Sequence, residues 1–422
     1  MTDLLFLSHR IPYPPEKGDK IRSWNMLRHL ASGHRVHLGC FHDDPADARH
    51  IDALKSVCAS VLCLPLNRMR AKALSLTGLF SGLSLSQVYF RSRRLQQWVG
   101  TTMREKCVER IFVFGSAMAP YAMPYRNVRR VMDMVDVDSE KWRAYAASHA
   151  PPLAWLYALE GRRLLDLERV AAREFDWTLL VSAAETELFH RLAPESESRV
   201  IEVRNGVDID YFDPGLSHPS PFPADAVPIV FTGAMDYWPN VEAVEWFARE
   251  VMPLTGSWIP APEFWIVGAN PTAAVSRLAQ RPRIRVTGWV DDVRPYLAHA
   301  AAVVAPLHIA PGIQNKVLEA MAMAKPVVAT AGAASGILEV SSRELIVADN
   351  AAEFARGIGT AMGEEGKRLG RRARALVEER FKWQQSWTVL DRLFEGRGRP
   401  IEPVSERQDG DAVGLRQSAA GR

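Results

Sequence analysis

Residues 306–330 read Pro-Leu-His-Ile-Ala-Pro-Gly-Ile-Gln-Asn-Lys-Val-Leu-Glu-Ala-Met-Ala-Met-Ala-Lys-Pro-Val-Val-Ala-Thr. This order of residue types predicts the end of a strand, a loop that contains Gly312, a helix and a second strand. A helix N-terminus presents free N–H groups and a partial positive charge, so this one suits a phosphate group. Gly312 would let the backbone approach such a ligand closely.

Lys316 and Glu319 are three residues apart, which places them on one face of the predicted helix. From the first turn, Lys316 could reach a diphosphate. Glu319, one turn deeper, could accept hydrogen bonds from two ribose hydroxyls. Any Lys–Glu pair on a helix surface has the same spacing, so the spacing alone leaves a binding pair and a surface pair equally open.

Short apolar runs of strand length alternate with helical stretches along the chain, which implies parallel sheets buried on both faces. The predicted strands are Leu4–Leu7, Val36–Cys40, Ser60–Leu64, Ile111–Phe114, Arg130–Met132, Thr178–Val181, Val200–Val203, Ile229–Thr232, Phe264–Val267, Ile284–Thr287, Ala302–Ala305, Pro326–Ala329 and Leu345–Val347. The predicted helices include Lys20–Ser32, Leu153–Glu174, Val241–Val251, Lys316–Met323 and Gly366–Glu379.

A segment dense in proline, serine and glycine, residues 212–223, divides the strands into two sets. This composition suits an exposed linker, and the two sets predict two doubly wound α/β domains. Because ligands bind beyond the carboxyl ends of such strands, the site is expected in the cleft between the domains. The predicted divisions are an N-terminal domain over 1–210, a linker over 211–226, a C-terminal domain over 227–379, an aromatic amphipathic helix over 380–396 and a disordered tail over 397–422.

The composition is that of a globular protein. Of the 422 residues, 47% are hydrophobic and 24% are charged, which excludes a disordered or collagen-like chain. The 52 Lys and Arg against 49 Asp and Glu give a net charge of +3, too balanced for a protein that coats nucleic acid. The 4 cysteines match no zinc motif and imply no disulfide framework, and the 11 histidines show no metal-ligand spacing.

No apolar run reaches the roughly 20 residues that a membrane span needs, and the first residues lack the pattern of a signal peptide. The expected location is therefore the cytoplasm, with attachment to a membrane surface left open.

A stretch free of acidic residues runs from Asp52 to Glu105 and mixes basic with bulky apolar side chains. This mixture suits an anionic membrane surface or an acceptor that carries a lipid diphosphate. The alternative is an insert that packs on its own core, whereas nucleic acid is disfavoured because no recognised binding motif accompanies the patch. The basic residues assigned to this acceptor or membrane patch are Arg68, Arg70, Lys72, Arg91, Arg93 and Arg94.

Residues 306–330 resemble the nucleotide-sugar site of glycosyltransferases with the GT-B fold, specifically the large retaining family 4 group. The family's hallmark is a pair of glutamates eight residues apart, followed by Ala-Met-Ala and Pro-Val-Val. Here Glu319 is the second glutamate, and Pro311 stands where the first commonly contacts the transferred sugar. Some members carry Gly-x-Arg-x-Lys-x-x-Glu instead, which Gly312, Lys316 and Glu319 fit with Gln314 in place of the arginine.

Two further segments support the resemblance on the donor side. Residues 231–240 resemble the first strand and loop of the donor domain, with Met235 and Asn240 where many members place Arg and Lys. Residues 287–297 resemble the loop whose backbone reads the base, and Val290 would contact the base edge.

The N-terminal half carries two more such segments. Arg204-Asn-Gly-Val-Asp resembles the hinge that ends the N-terminal domain, although Asn-Gly is also a generic turn signal. Residues 14–22 resemble the glycine loop that packs against the donor phosphates, and the alternative is a solvated, charged helix start.

Three aspartates follow the predicted strand Arg130–Met132 at its carboxyl end, where they would line the cleft. We interpret Asp133 and Asp136 as acceptor-binding or proton-handling residues, and the alternative is N-capping of the next helix by Asp138 or Ser139. Asp136 and Asp138 also form an Asp-x-Asp, the metal signature of the other glycosyltransferase fold. This signal is discounted, since the three-letter pattern recurs at residues 208–210.

The resemblance implies two Rossmann-like domains that face a central cleft, with the C-terminal helix crossing back to the N-terminal domain. It implies transfer of a sugar from a nucleoside-diphosphate sugar to an acceptor hydroxyl with retention, without a metal or a cofactor. The catalytic candidates are Lys316, Asp133 and Asp136. The donor-binding candidates are Gly18, Lys20, Arg22, Asn205, Gly233, Val290, Gly312, Ile313, Gln314, Lys316 and Glu319.

The sequence of residues 7–23 and 133–142 is similar to that of the sugar transferases associated with the bacterial exosortase/PEP-CTERM exopolysaccharide system. This implies a lipid-linked saccharide acceptor at the inner leaflet. Two other classes stay open: a sugar-nucleotide epimerase on the same fold, which would need a base at the sugar, and a catalytically silent scaffold protein. A dehydrogenase is disfavoured because no Gly-x-Gly-x-x-Gly follows an early strand.

Overall fold

The apolar runs of the first half form one parallel sheet. The computed structural model describes residues 1–15, 18–308, 313–337 and 343–395. Its first seven strands pair in the order β3-β2-β1-β4-β5-β6-β7. They are β1 (Asp3–Ser8), β2 (Arg35–His42), β3 (Ser60–Pro65), β4 (Arg110–Phe114), β5 (Arg129–Val135), β6 (Trp177–Leu180) and β7 (Val200–Glu202).

Helices connect these strands, as parallel pairing requires. They are α1 (Gly18–Gly33), α2 (Ile51–Lys55), α3 (Arg68–Ser75), α4 (Gly78–Ser81), α5 (Leu85–Tyr89), α6 (Arg93–Glu105), α7 (Asp138–Ser148), α8 (Leu153–Glu174) and α9 (Ala183–Leu192). The helices cover both faces of the sheet. Leu5 and Leu7 pack into one core, whereas Leu4 and Phe6 pack into another on the opposite face.

The second half forms a separate parallel sheet of six strands in the order β10-β9-β8-β11-β12-β13. They are β8 (Pro228–Thr232), β9 (Glu263–Val267), β10 (Ile284–Gly288), β11 (Ala302–Ala305), β12 (Val327–Ala329) and β13 (Ile346–Val347). The helices are α10 (Trp238–Trp246), α11 (Ala273–Leu278), α12 (Arg294–Ala298), α13 (Asn315–Ala322), α14 (Ala331–Ala334), α15 (Ala351–Ala361), α16 (Glu364–Arg380) and α17 (Trp383–Glu395). The prediction of two doubly wound sheets is confirmed.

The connection between the sheets is mostly exposed but is fixed to the C-terminal domain at several points. Phe212 and Phe222 bury their rings in the core of that domain. The guanidinium group of Arg374 donates hydrogen bonds to the carbonyl oxygens of Ile209, at 3.1 Å, and Phe212, at 2.8 Å. The segment therefore packs on the domain that it precedes.

Helix α17 crosses back to the N-terminal domain, as the resemblance implied. Its apolar side chains Trp383, Leu390, Leu393 and Phe394 are buried in a core that also contains Leu4 and Phe6 of β1. Polar contacts fix the same helix, since His29 lies 2.7 Å from Asp391 and Arg129 Nε donates to the Leu393 carbonyl oxygen at 2.8 Å. The predicted tail, residues 397–422, lies outside the described residues.

The return of the chain depends on Gly206 in the predicted hinge. A Cβ atom at Gly206 would lie 2.4 Å from the backbone nitrogen of Trp383 and 2.6 Å from its Cα. These are backbone atoms, so they cannot rotate away as the end of a side chain can. Glycine at this position therefore allows α17 to begin against the hinge.

Gly206→Ala should destabilise the protein by about 1–3 kcal/mol, the usual cost of forcing an extra methyl group into a packed site. Urea unfolding followed by circular dichroism measures the change. Gly33→Ala is the matched control, because a Cβ atom there meets no heavy atom within 4 Å. Equal stability of the two variants would contradict the close contact at Gly206.

Candidate functional site

Helix α13 supplies the two charged side chains singled out from the sequence. Lys316 Nζ donates a hydrogen bond to Asn240 Oδ1 at 2.7 Å and lies 4.1 Å from the centre of the Phe231 ring. Burial lowers the pKa of Lys316 to about 7, although the charge of Glu319 works against it. Burial raises the pKa of Glu319 to about 7, against the attraction of Lys316. Both groups can therefore change their charge near neutral pH.

Glycines that follow β8 and β9 allow the close packing around the lysine. A Cβ atom at Gly233 would lie 2.9 Å from Lys316 Nζ and 2.8 Å from Asn240 Nδ2. A Cβ atom at Gly268 would lie only 1.7 Å from the carbonyl oxygen of Gly233. Both glycines also have φ angles of 154°, in the region that side chains disfavour. The loop after β8 can thus lie directly against α13.

Asn240 has a role that the sequence did not reveal. Its Oδ1 accepts the hydrogen bond from Lys316, and its Nδ2 donates to the carbonyl oxygen of Ala234 at 2.8 Å. Asn240 therefore fixes the lysine against the loop after β8. Met235, the other residue that departs from the family pattern, is fully buried in the core.

A buried hydrogen-bond network connects the two domains. The guanidinium group of Arg22 is fully buried and donates two bonds to the Asp133 carboxylate, at 2.8 and 3.1 Å. Arg22 Nη1 also donates to Asn205 Oδ1 at 2.9 Å. Asn205 Nδ2 in turn donates at 3.1 Å to Oδ1 of Asn315, the first residue of α13. The network thus extends from the end of β5 to the donor-side helix.

These contacts show how three predicted site residues are engaged. Asp133 is fully buried, and burial raises the pKa of its carboxyl group despite the opposing charge of Arg22. Lys20 is only 3% exposed, and its Nζ donates to the two carboxylate oxygens of Asp47 at 3.0 and 3.1 Å. Asp133, Arg22 and Lys20 are therefore held by partners within the N-terminal domain, and their roles toward a ligand stay predictions.

The start of α1 nevertheless faces α13. A Cβ atom at Gly18 would lie 3.7 Å from the side-chain nitrogen of Asn315. The glycine loop and the helix after Gly312 are therefore brought together across the cleft. Gly312 itself, like Pro311, lies outside the described residues.

The remaining donor-side candidates lie directly before α13 or in the loop after β10. Ile313 is buried in the core of the C-terminal domain, and Gln314 precedes the helix in an extended conformation. Val290 is half-buried and packs against the same core. Tyr211 is an additional neighbour. Burial raises its pKa, and Glu319 contributes to the increase, so the phenol lies near that carboxylate.

Asp136 belongs to a cluster on the N-terminal side of the cleft. Lys141 Nζ donates to Asp136 at 2.8 Å and to Asp138 at 2.9 Å. Burial would lower the pKa of Lys141, but the two carboxylates hold it well above its usual value. Tyr237 lies in the loop after β8. Its pKa is raised by burial, and the charges of Lys141 and Asp136 also act on it. Asp136 thus faces the C-terminal domain.

The sequence did not reveal a small cavity of about 50 Å³ at the carboxyl ends of β1 and β2. It is lined by His9, Arg10, Phe41, Asp43, Leu66, Tyr89 and Phe90. The His9 ring stacks on Phe114 at 5.7 Å and lies 3.8 Å from the Asp19 carboxylate. A Cβ atom at Gly115 would lie 2.7 Å from His9 Nδ1, so glycine there leaves space for the imidazole. No pattern in the sequence connects these distant residues.

The predicted basic patch divides into two groups. Arg68, Arg70 and Lys72 are exposed on α3, where Arg68 donates to Asp43 at 2.9 Å. The second group is exposed at the start of α6 and comprises Arg91, Arg93 and Arg94. Among the helices of the described residues, none is long and apolar enough to cross a membrane.

Comparison with known proteins identifies the class. Residues 226–364 match the family model described as glycosyl transferases group 1. Sucrose-phosphate synthase from Thermosynechococcus elongatus is 16% identical with a TM-score of 0.68, over 93% of this chain and 98% of that chain. HepE from Anabaena, in complex with UDP, is 16% identical with a TM-score of 0.64, over 93% of this chain and 99% of that chain. WaaG, a glycosyltransferase involved in lipopolysaccharide biosynthesis, is 16% identical with a TM-score of 0.64, over 93% of this chain and 100% of that chain. No curated protein matches the sequence.

The chain thus has the GT-B fold of these glycosyltransferases. Residues 226–364, which include Lys316 and Glu319, match the model of glycosyl transferases group 1.

Arg22→Met should destabilise the protein by about 3–5 kcal/mol, because it leaves the buried Asp133 carboxylate without its partner. Urea unfolding measures the change, and the double variant Arg22→Met/Asp133→Leu should recover part of it. Arg70→Met is the control on an exposed arginine, with an expected change within about 0.5 kcal/mol. Unfolding of Arg22→Met at the urea concentration of the unaltered protein would contradict the buried pair.

Proposed function

We propose that the protein transfers a sugar from a UDP-sugar to a saccharide acceptor, with retention of the anomeric configuration. The observation that carries this proposal is the pair Lys316 and Glu319 on α13, within the domain that matches glycosyl transferases group 1. The choice of UDP is supported by the similar fold of HepE, which binds UDP.

In this proposal Lys316 and the start of α13 bind the diphosphate of the donor. The ammonium group and the free backbone N–H groups of the first turn both favour negative charge. Gly233 leaves the space in which Lys316 Nζ lies, and Asn240 orients it. Glu319, one turn further along the helix, accepts hydrogen bonds from the ribose hydroxyls. Val290 contacts the base.

Catalysis then depends on charge that develops on the leaving diphosphate. The bond between the anomeric carbon and the phosphate oxygen breaks while the acceptor hydroxyl bonds to the same face of that carbon. The hydroxyl proton passes to the departing phosphate. Lys316 and the α13 N-terminus stabilise this charge through preorganised electrostatics, and the proposed reaction uses these protein groups in place of a metal ion. Closure of the domains excludes water and limits hydrolysis.

The N-terminal side of the cleft is proposed to hold the acceptor. Asp136 and Lys141 are the polar groups that support this assignment, because they lie opposite Tyr237 of the donor domain. Asp133 positions Arg22 and, through it, Asn205. Its part in the reaction is thus proposed to be indirect.

The acceptor is proposed to be a lipid-linked saccharide at the inner leaflet, in exopolysaccharide biosynthesis. Support comes from the sequence of residues 7–23 and 133–142, which is similar to that of the transferases of the exosortase/PEP-CTERM system. A protein of similar fold, WaaG, acts in lipopolysaccharide biosynthesis.

UDP should stabilise the purified protein against heat without added divalent metal, by about 2.7 kcal/mol at one hundred times its dissociation constant. Lys316→Met and Glu319→Gln should each weaken this stabilisation while the fold survives. Lys367→Met and Glu364→Gln are matched controls, because they form a pair at the same spacing on the exposed surface of α16, at 2.6 Å. Equal stabilisation of all variants would contradict the proposed donor site.

The affinity for UDP-glucose should be greatest near pH 7. Above about pH 7 Lys316, whose pKa is lowered to about 7, loses the charge that attracts the diphosphate. Below about pH 7 Glu319, whose pKa is raised to about 7, gains a proton and accepts hydrogen bonds less well. Isothermal titration calorimetry from about pH 5.5 to pH 9 would measure the profile. Lys316→Met should flatten its alkaline side and Glu319→Gln its acidic side, whereas unchanged profiles would refute these assignments.

A further inference from the structure

Between Leu66 and Tyr89 the chain leaves the N-terminal sheet and forms three short helices, α3, α4 and α5. We refer to residues 68–89 as the helical projection. Its surface carries large apolar side chains that are exposed to solvent. The exposed fractions are 80% for Met69, 52% for Leu74, 47% for Leu76 and 93% for Phe80. Scattered single residues of this kind are ordinary, whereas four within twelve positions mark a contact surface.

The helical projection is held rigidly, so the exposure is not a consequence of a loose loop. Arg163 of α8 donates hydrogen bonds to the carbonyl oxygens of Gly78, at 2.8 Å, and Leu83, at 3.2 Å. Glu160, which is only 1% exposed, accepts the backbone N–H groups of Leu85 and Ser86 at the start of α5. Two buried or half-buried charges of α8 therefore fix the base of the helical projection, and Phe80 is presented on a firm support.

The charge of this surface is of one sign. No acidic residue occurs between Asp52 and Glu105. Arg70 and Lys72 are exposed on α3, on the same helix as Met69. Basic side chains around bulky apolar ones are the combination that binds anionic lipid headgroups and enters the acyl boundary.

The exposure of Phe80 suits a bilayer. Its ring is almost fully exposed at the short helix α4. A fluid acyl layer can accept a protruding ring without matching its shape. The cations of α3 would at the same time contact the phosphates of the headgroups.

The helical projection lies next to the cavity of the N-terminal domain, so its contact with a membrane would affect the position of the cleft. Leu66, which lies just before it, and Tyr89, its last residue, line the cavity at the carboxyl ends of β1 and β2. Arg68 at its start is bonded to Asp43, which lines the same cavity. Contact with a membrane would therefore hold the acceptor side of the cleft next to the lipid surface.

We propose that the helical projection is a docking surface for an anionic lipid bilayer, with Phe80 and Leu76 inserted and Arg70 and Lys72 on the headgroups. This inference deepens the proposed function, because it identifies the segment that would contact the membrane in which a lipid-linked acceptor lies. Its functional meaning rests on the proposed function. It does not depend on turnover.

The test is co-flotation of the full chain with vesicles of phosphatidylcholine alone or mixed with phosphatidylglycerol. The protein should float with the mixed vesicles and be released by high salt. Arg70→Glu/Lys72→Glu and Leu76→Ser/Phe80→Ser should each reduce binding at least about tenfold. Ile259→Ser, at a side chain 98% exposed on the C-terminal domain, and Arg277→Glu, on α11, are matched controls that should bind normally.

Each other outcome has a definite meaning. The proposal is overturned if the protein does not float with anionic vesicles, or if the projection variants float as the controls do; a protein partner would then be the occupant of this surface. Stabilisation by UDP, measured on the same samples without lipid, separates the two proposals. Vesicle binding without UDP stabilisation would remove only the proposed function, and UDP stabilisation without vesicle binding would remove only the docking surface.

Discussion

The guanidinium group of Arg22 is the interaction on which the arrangement of the cleft depends. It is fully buried, and it is bonded on one side to the Asp133 carboxylate and on the other to the hinge residue Asn205. A buried charge is tolerable only when it is paired and its hydrogen bonds are satisfied, so the end of β5 and the hinge must both be in place. Because Asn205 also bonds Asn315, this requirement extends to the first residue of the donor-side helix.

The donor side depends on a second constraint, the close approach of backbone and side chain. Gly233, after β8, leaves the space in which the Lys316 ammonium group lies, and Gly268, after β9, leaves room for the backbone of Gly233. The partial burial of Lys316 and Glu319 moves both pKa values to about 7. The close packing of the loop after β8 against α13 thus also affects the charge of Lys316 and Glu319.

The sequence predicted the fold well because its signals are local. Apolar runs mark the strands within one or two residues, except that β5 ends at Val135, three residues beyond its predicted end, and Leu153–Glu174 was predicted with the bounds of the structure. The pair Lys316 and Glu319 was also visible, since three-residue spacing on a helix is a local property. The partners of Arg22 were not visible, because they are 111 and 183 residues away along the chain. The role of Asn240 was missed for the same reason, since only the folded chain determines what contacts it.

Helix α17 has a consequence for the order in which the chain can fold during synthesis. Its residues complete the core beneath β1, and His29 contacts Asp391 across 362 positions. Helix α1 packs on the same face of the N-terminal sheet, but the part that α17 covers stays exposed until the whole second domain has been made. The last core element of the first domain is thus translated after the second domain, which makes completion of the N-terminal domain a late step in folding.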